Sequence, residues 1–417
     1  MNNNKLSDPF QSAYRPKHST ESALIKVSDD IFSEIDSRRI VFVVLLDLSS
    51  AFDTVDHTIL LNRLQDRFAI TGSALEWAQS YLKGWSSEVS INGHLSDPIS
   101  MDFGVPQGSV LGPLLFSAYT VPIGEIIQKH GINYHIYADD CQLYASVNPR
   151  IPGDVLNTLD KISRCISEIR EWMTVNYLKL NDAKTEFFVA GSTYNMRNIQ
   201  LNDITLEIGS SKIMPSTVIR NLGIYFDSSM SLTSHIDSLR RSILYHIRNI
   251  WRIRKYIESD TCHHVVRALV LSRLDYCNAL FTHLSSKNMI RLQRLQNRAA
   301  RVIYALGRWS EAAPLITKLH WLPIAERVTF KILLYVYKAL NEQSPAYITQ
   351  LFTYYVPGRP LRSSNDPSRL VVHRYNSVAG ERSFTATAAK AWNNLPLHIR
   401  GATSTNTFKK LLKTHLF

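Results

Sequence analysis

Cysteine is scarce in this 417-residue chain: Cys141, Cys165, Cys262 and Cys277 are widely scattered, and no two form a CxxC pair. Four cysteines so spaced do not make the disulfide framework of a small secreted domain, so a reducing compartment is expected. Long apolar runs are lacking too. The longest, Ile40 to Leu46, is far too short to span a bilayer, and the N-terminal MNNNKLSDPFQSAYRPKHS has no apolar core of a signal peptide. We therefore expect a soluble, intracellular protein with no membrane partner. Internal repeats and low-complexity tracts are also missing, which excludes solenoids and disordered arrays. What remains, 45% hydrophobic and 20% charged residues, is ordinary for a folded chain of two to four domains.

The net charge of +12 is unevenly placed. Residues 231 to 310 hold fourteen Lys and Arg against four acids, which leaves the rest of the chain close to neutral. A basic segment beside a neutral one suits a polyanion-binding module, and equally a solvated arginine-rich helical surface. Within it, IRLQRLQNRAARVIY sets Arg291, Arg294, Arg298 and Arg301 at spacings of three, four and three, one stripe of a helix. Leu292, Leu295, Ala299 and Val302 form the apolar stripe beside it.

The pattern upstream is different. IVFVVLLD (Ile40 to Asp47) reads as a strand buried on both faces that ends in a carboxylate. Helical spacing follows near residues 74 to 83, then an Asn-Gly hairpin signal in EVSINGHLSDPISM, and a helix after GVPQGSVLGPLL. NYHIYADDCQLYASV predicts a hairpin with acid at its tip. Residues 153 to 180 predict an amphipathic helix with Val155, Leu159, Ile162, Ile166, Ile169 and Met173 on one face, and TEFFVAG a further strand. Strand, helix, hairpin, helix, strand implies an α+β domain with helices on one face of a mainly antiparallel sheet. Beyond it, a helix is expected from Pro323 toward Leu340, a loop over YVPGRPLRSSNDPSR, and a terminal amphipathic helix carrying Phe408, Leu411, Leu412 and Leu416.

Three acids stand where buried strands end: Asp47, and the adjacent Asp139 and Asp140. Neighbouring carboxylates repel one another and are costly beside an apolar sheet unless a cation neutralises them. Hard divalent ions suit such oxygens, and two of them can activate a 3′-hydroxyl and stabilise a departing pyrophosphate. Taken alone, the Asp-Asp pair is equally an acidic surface turn.

The surrounding blocks bear on that choice. YADD (Tyr137 to Asp140), preceded by LLDLSSAFDTVDH (Leu45 to His57) and GVPQGSVLGPLLF (Gly104 to Phe116), resembles the palm of reverse transcriptases in order and separation. LKLNDAKTEFFVAG resembles the family's lysine-bearing block, NLGIYFD (Asn221 to Asp227) its primer-grip hairpin, and QSAYRPKHSTESAL a finger block. AKAWNNLPLHIRGATSTNTFKKLLKTHLF resembles the tail of non-LTR (LINE-type) retrotransposons, jockey-like or chicken-repeat-like.

This resemblance implies a right-hand polymerase palm with a ferredoxin-like sheet over residues 40 to 229, after a finger remnant over residues 1 to 39. It also implies a basic helical thumb at 230 to 310 and a mixed, mainly helical region from 311 to 417. It implies an RNA-directed DNA polymerase, with RNA template, DNA primer or nicked target DNA and deoxynucleoside triphosphates as partners, in nucleus and cytoplasmic ribonucleoprotein. Asp47, Asp139 and Asp140 would hold two Mg²⁺, with Mn²⁺ able to substitute, and Lys184 would protonate the pyrophosphate. A strand-edge surface lysine is the other reading of Lys184. Phe52 would lie beneath the sugar and exclude a 2′-hydroxyl, unless it is a core ring. Gln107 and Gly108 would meet template or nucleotide, and Arg15 with Lys17 the triphosphate. Leu222 and Gly223 would face the primer, and the arginine stripe the phosphates of the template and primer duplex. Asp53 and Asp56 read better as helix N-terminal acids. Further finger blocks and an endonuclease are not found, so the expectation is an N-terminally truncated chain that binds nucleic acid but extends it feebly. A catalytically defective remnant is the alternative.

Overall fold

The computed structural model describes residues 6–49, 52–106, 108–197, 204–209, 211–357 and 366–417. They gather into two compact units. The first comprises Met1–His18, Val41–Val189 and Met196–Ser216, and the second Ser19–Ile40, Ala190–Asn195 and Thr217–Phe417. This partition cuts across the four segments expected from the sequence, because residues 19–40 and the hairpin near 222 belong with the helical C-terminal half.

In the first unit, β1 (Ile40–Leu46) is apolar throughout and buried along nearly its whole length, as a strand covered on both faces must be. The hairpin of β2 (Asn133–Tyr137) and β3 (Asp140–Val147) is antiparallel, with Tyr137 opposite Asp140. β4 (Glu186–Ala190) and β5 (Pro215–Ser216) complete a sheet in the order β5-β4-β1-β3-β2. Strands one to four thus run 4-1-3-2, the ferredoxin-like arrangement that the sequence led us to expect. The sheet is mixed because β5 joins β4 in parallel, pairing Phe187 with Pro215.

The Gly112–Lys129 helix connects β1 to β2, and the Asp154–Val175 helix connects β3 to β4; they pack on each other and on the hairpin strands. Ile162, Ile166 and Ile169 are fully buried, the stripe that period 3.6 predicts. Each such side chain contributes roughly 1.5–3 kcal/mol of burial. The Asn-Gly signal is also realised: Asn92 and Gly93, with φ +53° and +85°, join Ser90–Ile91 to His94–Leu95 in the geometry of a type I′ turn.

The second unit is helical apart from short strands. Its hairpin, Val218–Asn221 with Ile224–Asp227, turns through Leu222 and Gly223 at φ +42° and +85°. The Thr233–Ile253 helix buries Ile236, Ile243, Ile247 and Ile250, and the Ser286–Ile303 helix beside it buries Leu292, Leu295, Ala299 and Val302. Further on, the Ile324–Leu340 helix begins directly after Pro323 and carries the Phe384–Asn393 and Thr405–Leu416 helices. Tyr337 stacks on Phe408 at 4.2 Å between ring centroids.

The Thr20–Asp36 helix, opened by a Ser19–Ser22 capping box, completes this unit. Its buried acids serve backbone far along the chain. Glu21 accepts from Ala279 N at 3.0 Å and pairs with Lys331 at 3.1 Å. Asp29 accepts from Thr385 N at 2.9 Å and its hydroxyl at 2.7 Å. Asp36 accepts from Ser377 N at 2.8 Å.

Candidate active site

Asp47 follows β1 immediately, and its backbone carbonyl accepts from Asn181 N at 2.9 Å. Its carboxylate is held from the same side, by Asn181 Nδ2 at 3.2 Å and by Lys184 Nζ at 3.3 Å. Lys184 lies just before β4 and is largely exposed, so the ion pair orients Asp47 more than it stabilises the fold.

Asp139 and Asp140 close the β2–β3 hairpin. Its two-residue loop is Ala138-Asp139, and Ala138 has φ +59°, a conformation that a side chain disfavours. Asp140 keeps contact with water, but the crowded hairpin end desolvates it and the charges of Asp139 and Asp47 oppose its ionisation. Together they push its pKa up to about 6. Three carboxylates on two strands therefore feel one another. Among the described residues no three His, Cys, Asp or Glu side chains close into a ready-made ion cage, while the charges of Asp139 and Asp47 both bear on Asp140. An all-oxygen donor set whose repulsion is only partly offset, by Lys184 at Asp47, fits a hard divalent cation.

The strained loop is held by a residue that the sequence did not disclose. Gln11 is buried, and its Oε1 accepts from Ala138 N at 3.1 Å and from Ala13 N at 2.9 Å, while Nε2 donates to Ala138 O at 3.4 Å. Residues 10–12 run beside β2, with Ile136 N donating to Phe10 O and Ser12 N to Ile136 O, each at 2.9 Å. Arg15 closes this segment on itself: its Nη1 donates to the carbonyls of Asp8 at 2.6 Å and Gln11 at 2.9 Å. The guanidinium expected near a triphosphate thus makes backbone contacts within its own segment.

Phe52 is half-buried and lies against the fully buried Phe116, ring centroids 4.5 Å apart. Its carbonyl accepts from Val105 N at 2.9 Å, and Gly104, at φ +85°, leaves no room for a Cβ against Asp53. The two sequence blocks are thereby joined, and His57 Nε2 lies 2.7 Å from Gly104 O. Asp56 caps the His57–Asp66 helix through Ile59 N at 2.8 Å, the role expected of it. Gly108 has φ +82°, while Gln107 lies outside the described residues.

An acidic pair on a hairpin tip beside a third acid after a central strand is the geometry on which the comparisons with known proteins bear. A family model described as reverse transcriptase (RNA-dependent DNA polymerase) matches residues 1–226. The chain belongs to the reverse transcriptase family. Among curated relatives, the probable RNA-directed DNA polymerase from transposon BS of Drosophila melanogaster is 24% identical over 73% of this chain and 33% of its own length. The RNA-directed DNA polymerase from mobile element jockey of Drosophila funebris is 23% identical over 70% of this chain and 32% of its own. The chain thus spans about a third of the length of these relatives. A telomerase from Candida albicans, solved with a fragment of telomeric RNA, is similar at 13% identity and a TM-score of 0.36, covering 78% of this chain and 52% of that one.

The remaining candidates of this reverse transcriptase chain lie in its helical unit. The Leu222 carbonyl accepts from the Tyr276 hydroxyl at 2.6 Å, and a Cβ on Gly223 would press on the Tyr276 ring at 3.3 Å. Of the arginine stripe, Arg291 pairs with Asp237 and donates to Asn288 at 2.9 Å, and Arg301 donates to Ser310 O at 2.7 Å. Arg294 and Arg298 are exposed and, among the described residues, make no ion pair. Sequence spacing placed all four on one stripe, but only partner geometry separates two structural arginines from two outward ones. The four cysteines are buried free thiols, and among the described residues Cys262 and Cys277 join no metal cluster.

Proposed function

We propose that the chain carries the polymerising part of an RNA-directed DNA polymerase, which joins deoxynucleotides to a DNA primer 3′-hydroxyl on an RNA template, the primer in retrotransposition being nicked target DNA. The observation that carries this reading is the placement of Asp139 and Asp140 at a hairpin tip and of Asp47 directly after the central strand, in a sheet ordered as a ferredoxin-like palm. Mg²⁺, or Mn²⁺ in its place, would be held by these three carboxylates and would supply charge neutralisation for hydroxyl attack and pyrophosphate departure. Lys184, beside Asp47, is positioned to give a proton to the leaving pyrophosphate. Phe52 presents its half-exposed ring where a 2′-hydroxyl must be refused, and its contact with Phe116 keeps that ring from yielding. Gln107 and Gly108 meet template or nucleotide, and Arg15, through the segment it closes, supports the triphosphate side. Leu222 and Gly223 face the primer, and Arg294 and Arg298 hold phosphates, with Arg291 and Arg301 fixing their helix.

Extension of a DNA primer on an RNA template, with this 417-residue chain alone and within a longer element polyprotein, tests the reading. Asp139→Asn should remove extension in both while circular dichroism stays unchanged. Undiminished extension by that variant would sink the assignment.

A further inference from the structure

The helical unit holds a second feature that phosphate contacts do not explain. Between the Thr233–Ile253 and Ser286–Ile303 helices lies a groove of about 760 Å³ with an apolar floor of Leu244, Ile247 and Val302. Arg248, Arg294, Arg298, Arg301 and Arg308 line it, and no acid does. Two tryptophans border it: Trp251 is 47% exposed and Trp309 85%. The loop bearing Trp309 is tied down by the Arg301–Ser310 bond of 2.7 Å, and the Arg308 guanidinium lies 4.5 Å from the Trp309 ring centroid. The groove continues past Arg240 and Lys287, where the single acid, Asp237, is already paired with Arg291.

An indole left in water forfeits the burial that normally keeps tryptophan inside, so two of them on an arginine-lined groove call for a ligand with flat apolar faces and negative charge. Unpaired nucleotides have both. A duplex hides its base faces in the stack, whereas a single strand can lay bases on aromatic rings while its phosphates meet arginines. The lack of any acid along the groove other than Asp237, itself paired with Arg291, argues against a basic protein segment as occupant. From Arg240 to Trp251 the helix advances about 16 Å, room for a few nucleotides.

We infer that this groove binds single-stranded nucleic acid, with Trp251 and Trp309 stacking on bases and Arg248, Arg294 and Arg298 neutralising the backbone. The inference deepens the reading of the arginine stripe given above and is independent of the polymerase chemistry. Its test is a binding titration of the full chain with a single-stranded oligonucleotide and with a blunt RNA/DNA duplex of equal length, followed by tryptophan fluorescence. The single strand should quench fluorescence. Trp309→Ala should weaken single-strand binding about tenfold with an unchanged salt slope, because stacking releases no counterions. Arg298→Gln should lower that slope by roughly 0.7 for each lost phosphate contact. Both side chains are exposed, so an unchanged melting curve is expected and separates lost contact from lost fold. Single-strand affinity within twofold of the parent in both Trp251→Ala and Trp309→Ala, or a duplex bound as tightly as the single strand with equal quenching, would overturn the inference. Loss of extension in Asp139→Asn does not bear on it, and loss of single-strand binding leaves the polymerase reading standing.

Discussion

Replacing Gln11 with leucine keeps the side chain's approximate bulk and removes its two polar atoms. Two buried amides, Ala138 N and Ala13 N, then lose their acceptor, since they lie 3.1 and 2.9 Å from Oε1. The contact of Nε2 with Ala138 O, at 3.4 Å, is long and contributes little. An unsatisfied buried amide costs about 1–3 kcal/mol, so the variant should lose roughly 2–6 kcal/mol, a large share of the roughly 5–15 kcal/mol of an ordinary domain. The local effect is more specific. Ala138 holds φ +59° only because its surroundings over-determine it, and Gln11 anchors that residue through its amide. Hydrogen exchange at the Ala138 amide should accelerate more than at β1, and single-turnover primer extension should slow by on the order of a hundredfold if the acids shift by about 1 Å. Unfolding in urea at the parental midpoint, with Ala138 still protected, would refute the reasoning.

Phe52→Val should lower the ratio of kcat/KM for deoxy over ribo substrates, because trimming the ring admits a 2′-hydroxyl. An unchanged ratio with reduced stability would make Phe52 a core residue on Phe116. His235 is buried with Nδ1 lacking a hydrogen-bond partner among the described residues, and burial lowers its pKa to about 4. The unfolded chain takes up that proton near pH 6.5 and the folded chain only near 4, so stability should fall as pH drops through that window. The fall is about 3 kcal/mol at most. His235→Phe should flatten that part of the urea-midpoint profile; an identical profile would show that other groups govern it. Arg291→Gln, which breaks an ion pair with Asp237, should lower thermal stability modestly and leave the salt slope of nucleic-acid binding largely unchanged, whereas Arg294→Gln should do the reverse. Equal slopes for the two variants would erase the distinction drawn between them.

Much of the palm was legible because its signals are local. Seven apolar residues before Asp47, alternation around YADD and a 3.6-residue stripe from Leu159 to Met173 each specify an element without reference to the rest of the chain. The Ala138 turn was legible as a hairpin but not as a strained one, because nothing in YADD announces its support. That support, Gln11, is 127 residues away and reads as an unremarkable amide in FQSAYR. Arg15 shows what a motif leaves out: the family block suggested a ligand contact, and the structure adds two backbone carbonyls that its guanidinium holds. In the stripe from Arg291 to Arg301, helical spacing gave direction correctly and occupancy not at all, since Asp237 and Ser310 come from other elements.

The Thr20–Asp36 helix has a consequence for how the chain is made. Its buried Asp29 waits for Thr385, 356 residues later. At about 5–20 residues per second, a ribosome needs on the order of 20 to 70 s to supply that partner. Meanwhile Leu24, Ile25 and Phe32, all buried in the finished molecule, have emerged without the surfaces that cover them. An upstream segment therefore depends on a stretch of chain made 356 residues after it. A nascent chain halted before residue 279 leaves an apolar helix face and three unserved carboxylates open to chaperones and proteases, and one halted before residue 385 still leaves Asp29 unserved, so that survival in the cell depends on translation past that point.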